Sequence, residues 1–264
     1  MSPTAAPRIA SLVPSITELL IALGLRPWLV ARTGFCIHPA HEVAEIPKVG
    51  GTKDVNLDKL RRLAPSHVVV NMDENRVETA EALRTFVPEL IVTHPQGPQD
   101  NAALISQLQA HFGHLPGVTP RAEALQRSLA QALQAVRGKT WPPRRVLYLI
   151  WKDPWMSVAR DTYIARMLAE VGWVSWPDAL GGETGAARYP VIQGDETWLQ
   201  EINEVLLSSE PYSFNASHLD AAQALCPQAR VRLVDGELLS WYGPRAAAGL
   251  HYLMETRGWT SSSP

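Results

Sequence analysis

Apolar runs of strand length alternate with helical patterns along nearly the whole chain, and this alternation restricts the fold more than any other feature. The first half reads RIASLV, then SITELLIALG; LVART, then LDKLRRLA; HVVVNM, then RVETAEALRTF; ELIVTH, then NAALISQLQAHFG. Strand followed by helix, four times over, is the pattern of a mainly parallel sheet, because parallel neighbours need a crossover and a helix supplies it. Ser15 with Glu18 three residues on forms a capping box for the first helix, and Gly24 suits the left-handed position that ends it.

After Gly117 the rhythm changes. TPRAEALQRSLAQALQAVRG reads as one uninterrupted helix, with Leu125, Leu129, Leu133 and Val136 on one stripe, Thr119 as cap, Pro120 at the first helical position and Gly138 at the end. At 1.5 Å per residue such a helix spans about 27 Å, the width of a small lobe. Beyond it the alternation resumes with RRVLYLI, DTYIARMLAEVG, EVLLSS, SHLDAAQAL, VRLVDG and PRAAAGLHYLMETRG. The expected fold class is α/β: two βα lobes with mainly parallel sheets, joined by one long rigid helix. The N-terminal lobe is expected over 8–117, the linking helix over 118–139 and the C-terminal lobe over 140–264. A chain of 264 residues is long enough for two such lobes to bury a core each. The segment 173–193, rich in Gly, Trp and Pro, shows no clear period and is expected to be a long loop.

Several function classes fall away. A formal net charge of -2 without a Lys/Arg-rich run offers no field for a phosphate backbone, so nucleic acid is not an expected partner. The most apolar stretch, 9–25, is interrupted by Ser11, Ser15, Thr17 and Glu18 and does not span a membrane. The opening MSPTAAPR has none of the parts of an export signal, which points to the cytoplasm if Met1 is the native start. Cys36 and Cys226 belong to no C-x-x-C pair and are expected to be free thiols. There is no G-x-S-x-G elbow, no phosphate-binding G-x-x-x-x-G-K-[ST] loop and no H-E-x-x-H helix, and neither a catalytic set nor a metal site can be assembled. His38 and His41, close together in a proline-containing loop, fit solvated or hydrogen-bonded roles better than ligation.

The informative residues are aromatic. Eight of the nine tryptophans lie beyond residue 140, and Trp151, Trp155, Trp241 and Tyr242 fall in segments that follow strands, as Phe35 does in the first half. Loops past the carboxyl ends of parallel strands line the ligand crevice of such sheets, so these rings are candidates for holding a large, flat, partly apolar ligand. Each ring taken alone is equally well explained by core packing. Two acidic tips stand out as well: Glu74 in VVVNMDENR and Glu210 in VLLSSEPYSF, both read as exposed glutamates after an apolar run. The plain reading is two solvated carboxylates near helix N-termini, favoured there by the helix dipole.

Taken together, SLVPSITELLIALG, GFCIHP, PKVGGTKDVNLDKLRRLAPSHVVVN, SSEPYSF and GPRAAAGL resemble the substrate-binding proteins of ABC importers for vitamin B12 and iron-siderophore complexes. The likeness runs from Ile9 to about Trp259, and SSEPYSF is similar to a segment typical of the cobalamin-binding branch. Ile37 stands where that family often has Asp, Phe35 where it often has Tyr, and Ser213 replaces a proline. The resemblance implies a class III periplasmic binding protein, a monomer that captures cobalamin or a related corrinoid between two lobes and hands it to a dimeric ABC permease. It implies no catalytic cofactor, contact with the membrane only through the permease, and a periplasmic or cell-surface location. The ligand-binding set it points to is Phe35, Cys36, His38, Trp151, Trp155, Arg188, Trp241 and Tyr242, with His38 or Cys36 a candidate axial donor to cobalt. Glu74 and Glu210 become the docking pair, one to each permease subunit. The alternatives are an iron-siderophore or haem receptor, whose anionic chelate would call on Arg188, Lys152 and Arg245, and an intracellular corrinoid-handling protein.

Overall fold

The computed structural model describes residues 6–258; the last six positions of the expected C-terminal lobe, 259–264, and with them Trp259, lie outside the described residues. The chain divides into two compact units, the first holding everything up to residue 95 together with 102–127 and 242–244, the second holding 96–101, 128–241 and the chain from 245 onward.

In the first unit the order is β1 (Ile9–Ser11), α1 (Pro14–Ala22), β2 (Leu29–Arg32), α2 (Ala40–Val43), α3 (Leu57–Arg62), β3 (His67–Asn71), α4 (Val77–Arg84), β4 (Glu89–Thr93) and α5 (Asn101–Phe112). Its sheet runs β2-β1-β3-β4 with every pairing parallel. A central strand buried on both faces reads as an unbroken apolar run, which is why the Val68, Val69 and Val70 of β3 are all buried. Val68 and Val70 join Ala10, Leu12, Ala31, Leu60 and Leu83 in one core on one side of the sheet.

The long helix is α6 (Val118–Arg137), two residues earlier at its start than a Thr119 cap with Pro120 at the first helical position implies. Thr119 spends its hydroxyl on the Gly113 carbonyl at 3.2 Å. The buried stripe is Ala122, Leu129, Ala132 and Val136. The first helix also starts differently: Val13 is the N-cap, without a side-chain bond, and Pro14 takes the first helical position. Proline's fixed φ and missing N–H suit that position, so no capping box forms and Ser15 is buried inside the first turn. Gly24 does adopt φ +84 at the helix end.

The second unit contains β5 (Arg144–Leu149), β6 (Trp155–Met156), α7 (Tyr163–Ala169), β7 (Trp173–Trp176), β8 (Val191–Ile192), β9 (Glu204–Ser208), α8 (Leu219–Leu225), β10 (Arg230–Val234), α9 (Gly236–Ser240) and α10 (Arg245–Gly258). Its main sheet is again wholly parallel, in the order β10-β9-β5-β7. Alternate residues of β5 feed two cores: Val146 and Tyr148 on one face, Leu147 and Leu149 on the other. The expectation of a featureless loop over 173–193 is corrected, since β7 forms an edge strand of this sheet and β8 pairs antiparallel with β6. The alternation Trp173 and Ser175 buried, Val174 and Trp176 half-buried is the period of two that the tryptophans mask.

Across the amino-terminal edge of this sheet sits an ion triad centred on a buried glutamate. Glu204, 1% exposed, takes Arg144 at 3.0 Å and Arg232 at 2.7 Å, and the Trp173 indole N–H points at the same carboxylate at 3.4 Å. It lies at the opposite end of the strands from the loops that carry Trp151 and Tyr212.

Candidate functional site

Parallel strands aim all their carboxyl ends one way, so the loops that follow them collect on one side of each sheet. In the first unit, the turn after β2 is closed by Cys36 N–H donating to the Thr33 carbonyl at 3.3 Å, and by the Gly34 N–H donating to the Gly50 carbonyl at 2.7 Å. Gly50 has φ +99, and a Cβ there would lie 2.3 Å from the Asp54 carbonyl oxygen. Next to it, Gly51 is the floor for Phe35, whose ring would stand 3.3 Å from a Cβ at residue 51. The Gly-Gly pair thus brings two loops close enough to present Phe35, which is 63% exposed. Ile37 at 50% and Met72, on the loop after β3, at 41% are further exposed apolar side chains of the same unit. Ile37 stands out in the sequence only as a departure from the family pattern, and Met72 not at all, because a lone apolar residue after a strand carries no recognisable pattern.

Cys36 points the other way. It is fully buried, its Sγ 3.1 Å from Thr33 Oγ1, and burial pushes its thiol above the ordinary value. The reading of Cys36 as a ligand-facing or axial residue is therefore corrected: it anchors the turn from inside. His38, half-buried and followed by a cis bond to Pro39, stays on the loop surface.

In the second unit the loops after β5 and β9 build an aromatic wall. Trp151, 41% exposed, meets Tyr212 edge-on at 5.4 Å between ring centroids. Behind them, Trp155 stacks on Phe214 at 6.0 Å with an interplanar angle of 8°, and Tyr212 and Phe214 are 4.7 Å apart. His218 closes the group, its Nε2 3.2 Å from the Tyr212 hydroxyl. WKDPW and SSEPYSF, far apart in sequence, are thus one structure. Tyr212 and Phe214 enter as residues that single-site reading passed over, although the quoted SSEPYSF contains them. Edge-to-face and offset contacts of this kind fix ring orientation, so the exposed faces of Trp151 and Tyr212 are held ready for a flat partner.

Arg188 is corrected too. It is 1% exposed and donates to the Gly182 carbonyl, and a Cβ on Gly181 would lie 2.4 Å from its Cα. It ties down the 178–188 loop together with Asp161, which accepts the Gly181 and Gly182 N–H groups at 2.9 and 2.8 Å. Burial alone would raise the Asp161 carboxyl; those backbone donors outweigh it and hold the group below its usual range. Trp241 and Tyr242 are 8% and 7% exposed, more enclosed than a surface platform.

The two glutamates are not a matched pair of exposed tips, as the sequence pattern suggests. Glu74 is half-buried on a turn built by asparagines: Asn71 Oδ1 accepts the Asp73 and Glu74 N–H groups at 2.8 and 3.2 Å, and Asn75 Nδ2 donates to the Leu12 and Thr52 carbonyls. Glu210 is half-buried and committed inward, its Oε1 accepting from Ser240 Oγ and from the Trp241 indole, both at 2.7 Å. Burial pushes its carboxyl up, against the two donors that pull it down.

Aromatic and apolar side chains presented from the carboxyl ends of two wholly parallel sheets define a ligand-capturing protein of α/β lobes. The chain belongs to the periplasmic binding protein family, whose profile matches residues 9–191. It is 23% identical over 266 residues to an uncharacterized ABC transporter substrate-binding lipoprotein of Bacillus subtilis (strain 168), covering 94% of this chain and 79% of that one. Among solved structures it is similar to the periplasmic vitamin B12 binding protein of Vibrio cholerae, at 19% identity and a TM-score of 0.82, with 99% of this chain and 100% of that one covered. The periplasmic haem binding protein of the same organism gives 19% identity and a TM-score of 0.76 over 96% of this chain and 99% of that one. The fold is thus of the class III periplasmic binding protein type. No helix among the described residues is long and apolar enough to cross a membrane.

Proposed function

We propose that the protein is the substrate-binding component of an ABC importer for cobalamin or a related corrinoid, which it binds on the aromatic and apolar loops of its lobes and hands to a permease. The observation that supports this best is the wall of Trp151, Tyr212, Trp155 and Phe214. A corrin is a large, flat, partly apolar macrocycle, and preset ring faces cost little entropy to engage it. The segment that supplies Tyr212 and Phe214 is also the one that resembles the cobalamin branch. Phe35, His38, Trp151 and Trp155 are the contacts proposed for the ligand, together with the more enclosed Trp241 and Tyr242. His38 is the remaining candidate for an axial donor, and a shift in the visible spectrum of aquocobalamin on binding, absent in His38→Ala, tests that role.

A haem receptor is the second reading, favoured by the similarity to the haem binding protein of V. cholerae. One experiment separates them: the purified protein is passed over a desalting column with cyanocobalamin or with haemin, and the retained chromophore is titrated by calorimetry. Retention of the red corrinoid at micromolar affinity or better is expected. Retention of haemin alone overturns the corrinoid reading, and retention of neither overturns both.

A further inference from the structure

The Glu210 carboxylate looks inward as much as outward. Its backbone is pinned first: Ser208 Oγ donates to the Glu210 carbonyl at 2.6 Å, and the Tyr148 hydroxyl lies 2.9 Å from the same Oγ. Across from it, a Cβ at residue 236 would lie 2.3 Å from Ser208 Oγ and 2.8 Å from Glu210 Cγ, so only glycine lets α9 begin this close. That closeness delivers Ser240 and Trp241, at the far end of α9, to Glu210 Oε1 at 2.7 Å each. The other face of Trp241 is not idle. The Arg245 guanidinium stands 4.6 Å from the ring centroid and pairs with Glu237 at 2.5 Å. Trp241 is also the last residue of the second unit before 242–244, which belong to the first.

We propose that Glu210 is a positioning residue for the ligand site, its carboxylate holding the Trp241 indole by its N–H at the point where the chain passes from one unit to the other. This rests on the reading of Trp241 as part of the ligand-binding set. It gives Glu210 a role independent of any docking partner, and adds a consequence for one. A cationic side chain that captured this carboxylate would compete with the indole N–H and weaken the hold on Trp241. Docking at Glu210 would then reach the ligand site through a single side chain.

The test uses the full chain labelled with ¹⁵N. The Trp241 indole resonance is assigned by its loss in Trp241→Phe, and cyanocobalamin affinity is measured in parallel. Glu210→Ala removes the acceptor, so the indole proton should move upfield and affinity should fall roughly tenfold or more, as for loss of a hydrogen bond to a charged group. Glu210→Gln keeps an acceptor oxygen at the same place, and should preserve the resonance and bring affinity back to within about threefold of wild type, a rescue that a bare charge role would not show. An unmoved indole proton in Glu210→Ala refutes the hold. A moved proton with unchanged affinity refutes the positioning role. Failure of the wild type to bind any corrinoid refutes the functional reading instead, and the indole resonance, which needs no ligand, tells that outcome apart.

Discussion

Trp151→Ala measures the aromatic wall most directly. A tryptophan offers up to about 250 Å² of surface for burial. With 41% of the residue exposed, about 100 Å² remains for a ligand to cover. At about 25 cal/mol per Å², covering all of it contributes about 2.5 kcal/mol, and covering half about 1.2 kcal/mol. The expected loss of cyanocobalamin affinity is therefore roughly tenfold to seventyfold. The edge contact with Tyr212 is lost as well, but Tyr212 stays held by Phe214 at 4.7 Å and by His218, so the wall should not collapse. Calorimetry decides the point, with Trp151→Phe as a control that keeps a ring and should recover most of the affinity. Unchanged affinity in Trp151→Ala, repeated in Trp155→Ala and Phe35→Ala, would refute the pocket, because no other exposed rings of comparable area stand on these loops among the described residues.

Three further outcomes follow from particular contacts. Glu204→Ala strands Arg232, whose side chain is 14% exposed and whose guanidinium burial pushes below its ordinary value, and should cost about 3 to 5 kcal/mol in urea unfolding; a loss under about 1 kcal/mol would show the triad to be solvated. Glu74→Arg should leave corrinoid affinity intact and abolish stimulation of the partner permease's ATPase, whereas Glu210→Arg should lower both, since only Glu210 holds Trp241; equal behaviour of the two variants would contradict the asymmetry. Burial, then the neighbouring His111, hold the His67 imidazole below its ordinary value. The unfolded chain then takes up a proton that the folded chain resists, so stability should fall as pH drops below about 6.5 and be unaffected by this group above about 7.5. His67→Phe should flatten that slope in unfolding curves at pH 5.5 and 7.5, and an unaltered slope would clear His67 of the effect.

The architecture was legible because it is written in periods. Two wholly parallel sheets need strands buried on both faces and helices between them, and runs such as HVVVNM and RRVLYLI permit little else. What failed was local. Ser15 and Glu18 have the spacing of a capping box, yet Val13 is the cap and Pro14 begins the helix two residues sooner, because its ring presets φ and its absent N–H costs nothing there. WVSW hid an edge strand, since tryptophan at half-buried positions blurs the contrast on which a period of two depends. At the site, residue type told which groups could serve, and only folding told which way they face: Phe35 and Cys36 are adjacent in sequence, one 63% exposed against Gly51 and the other fully buried against the Thr33 hydroxyl.

The sharpest case is the pair of glutamates. Each follows an apolar strand and small polar residues, and from the sequence they are equivalent. Glu74 rides on a turn held by asparagines, Asn71 Oδ1 accepting the Asp73 and Glu74 N–H groups and Asn75 Oδ1 accepting the Asn71 N–H. Glu210 sits opposite a glycine that admits α9 to contact distance, and the helix brings an indole N–H and a hydroxyl to its carboxylate. A buried donor abandoned by its acceptor costs about 1 to 3 kcal/mol, which ties residue 210 to Trp241 far more firmly than any solvated tip is tied to its surroundings. The difference was set by residue 236, whose missing side chain no inspection of the glutamates themselves would have revealed. A cation that captured the Glu210 carboxylate is therefore expected to be felt at the Trp241 indole.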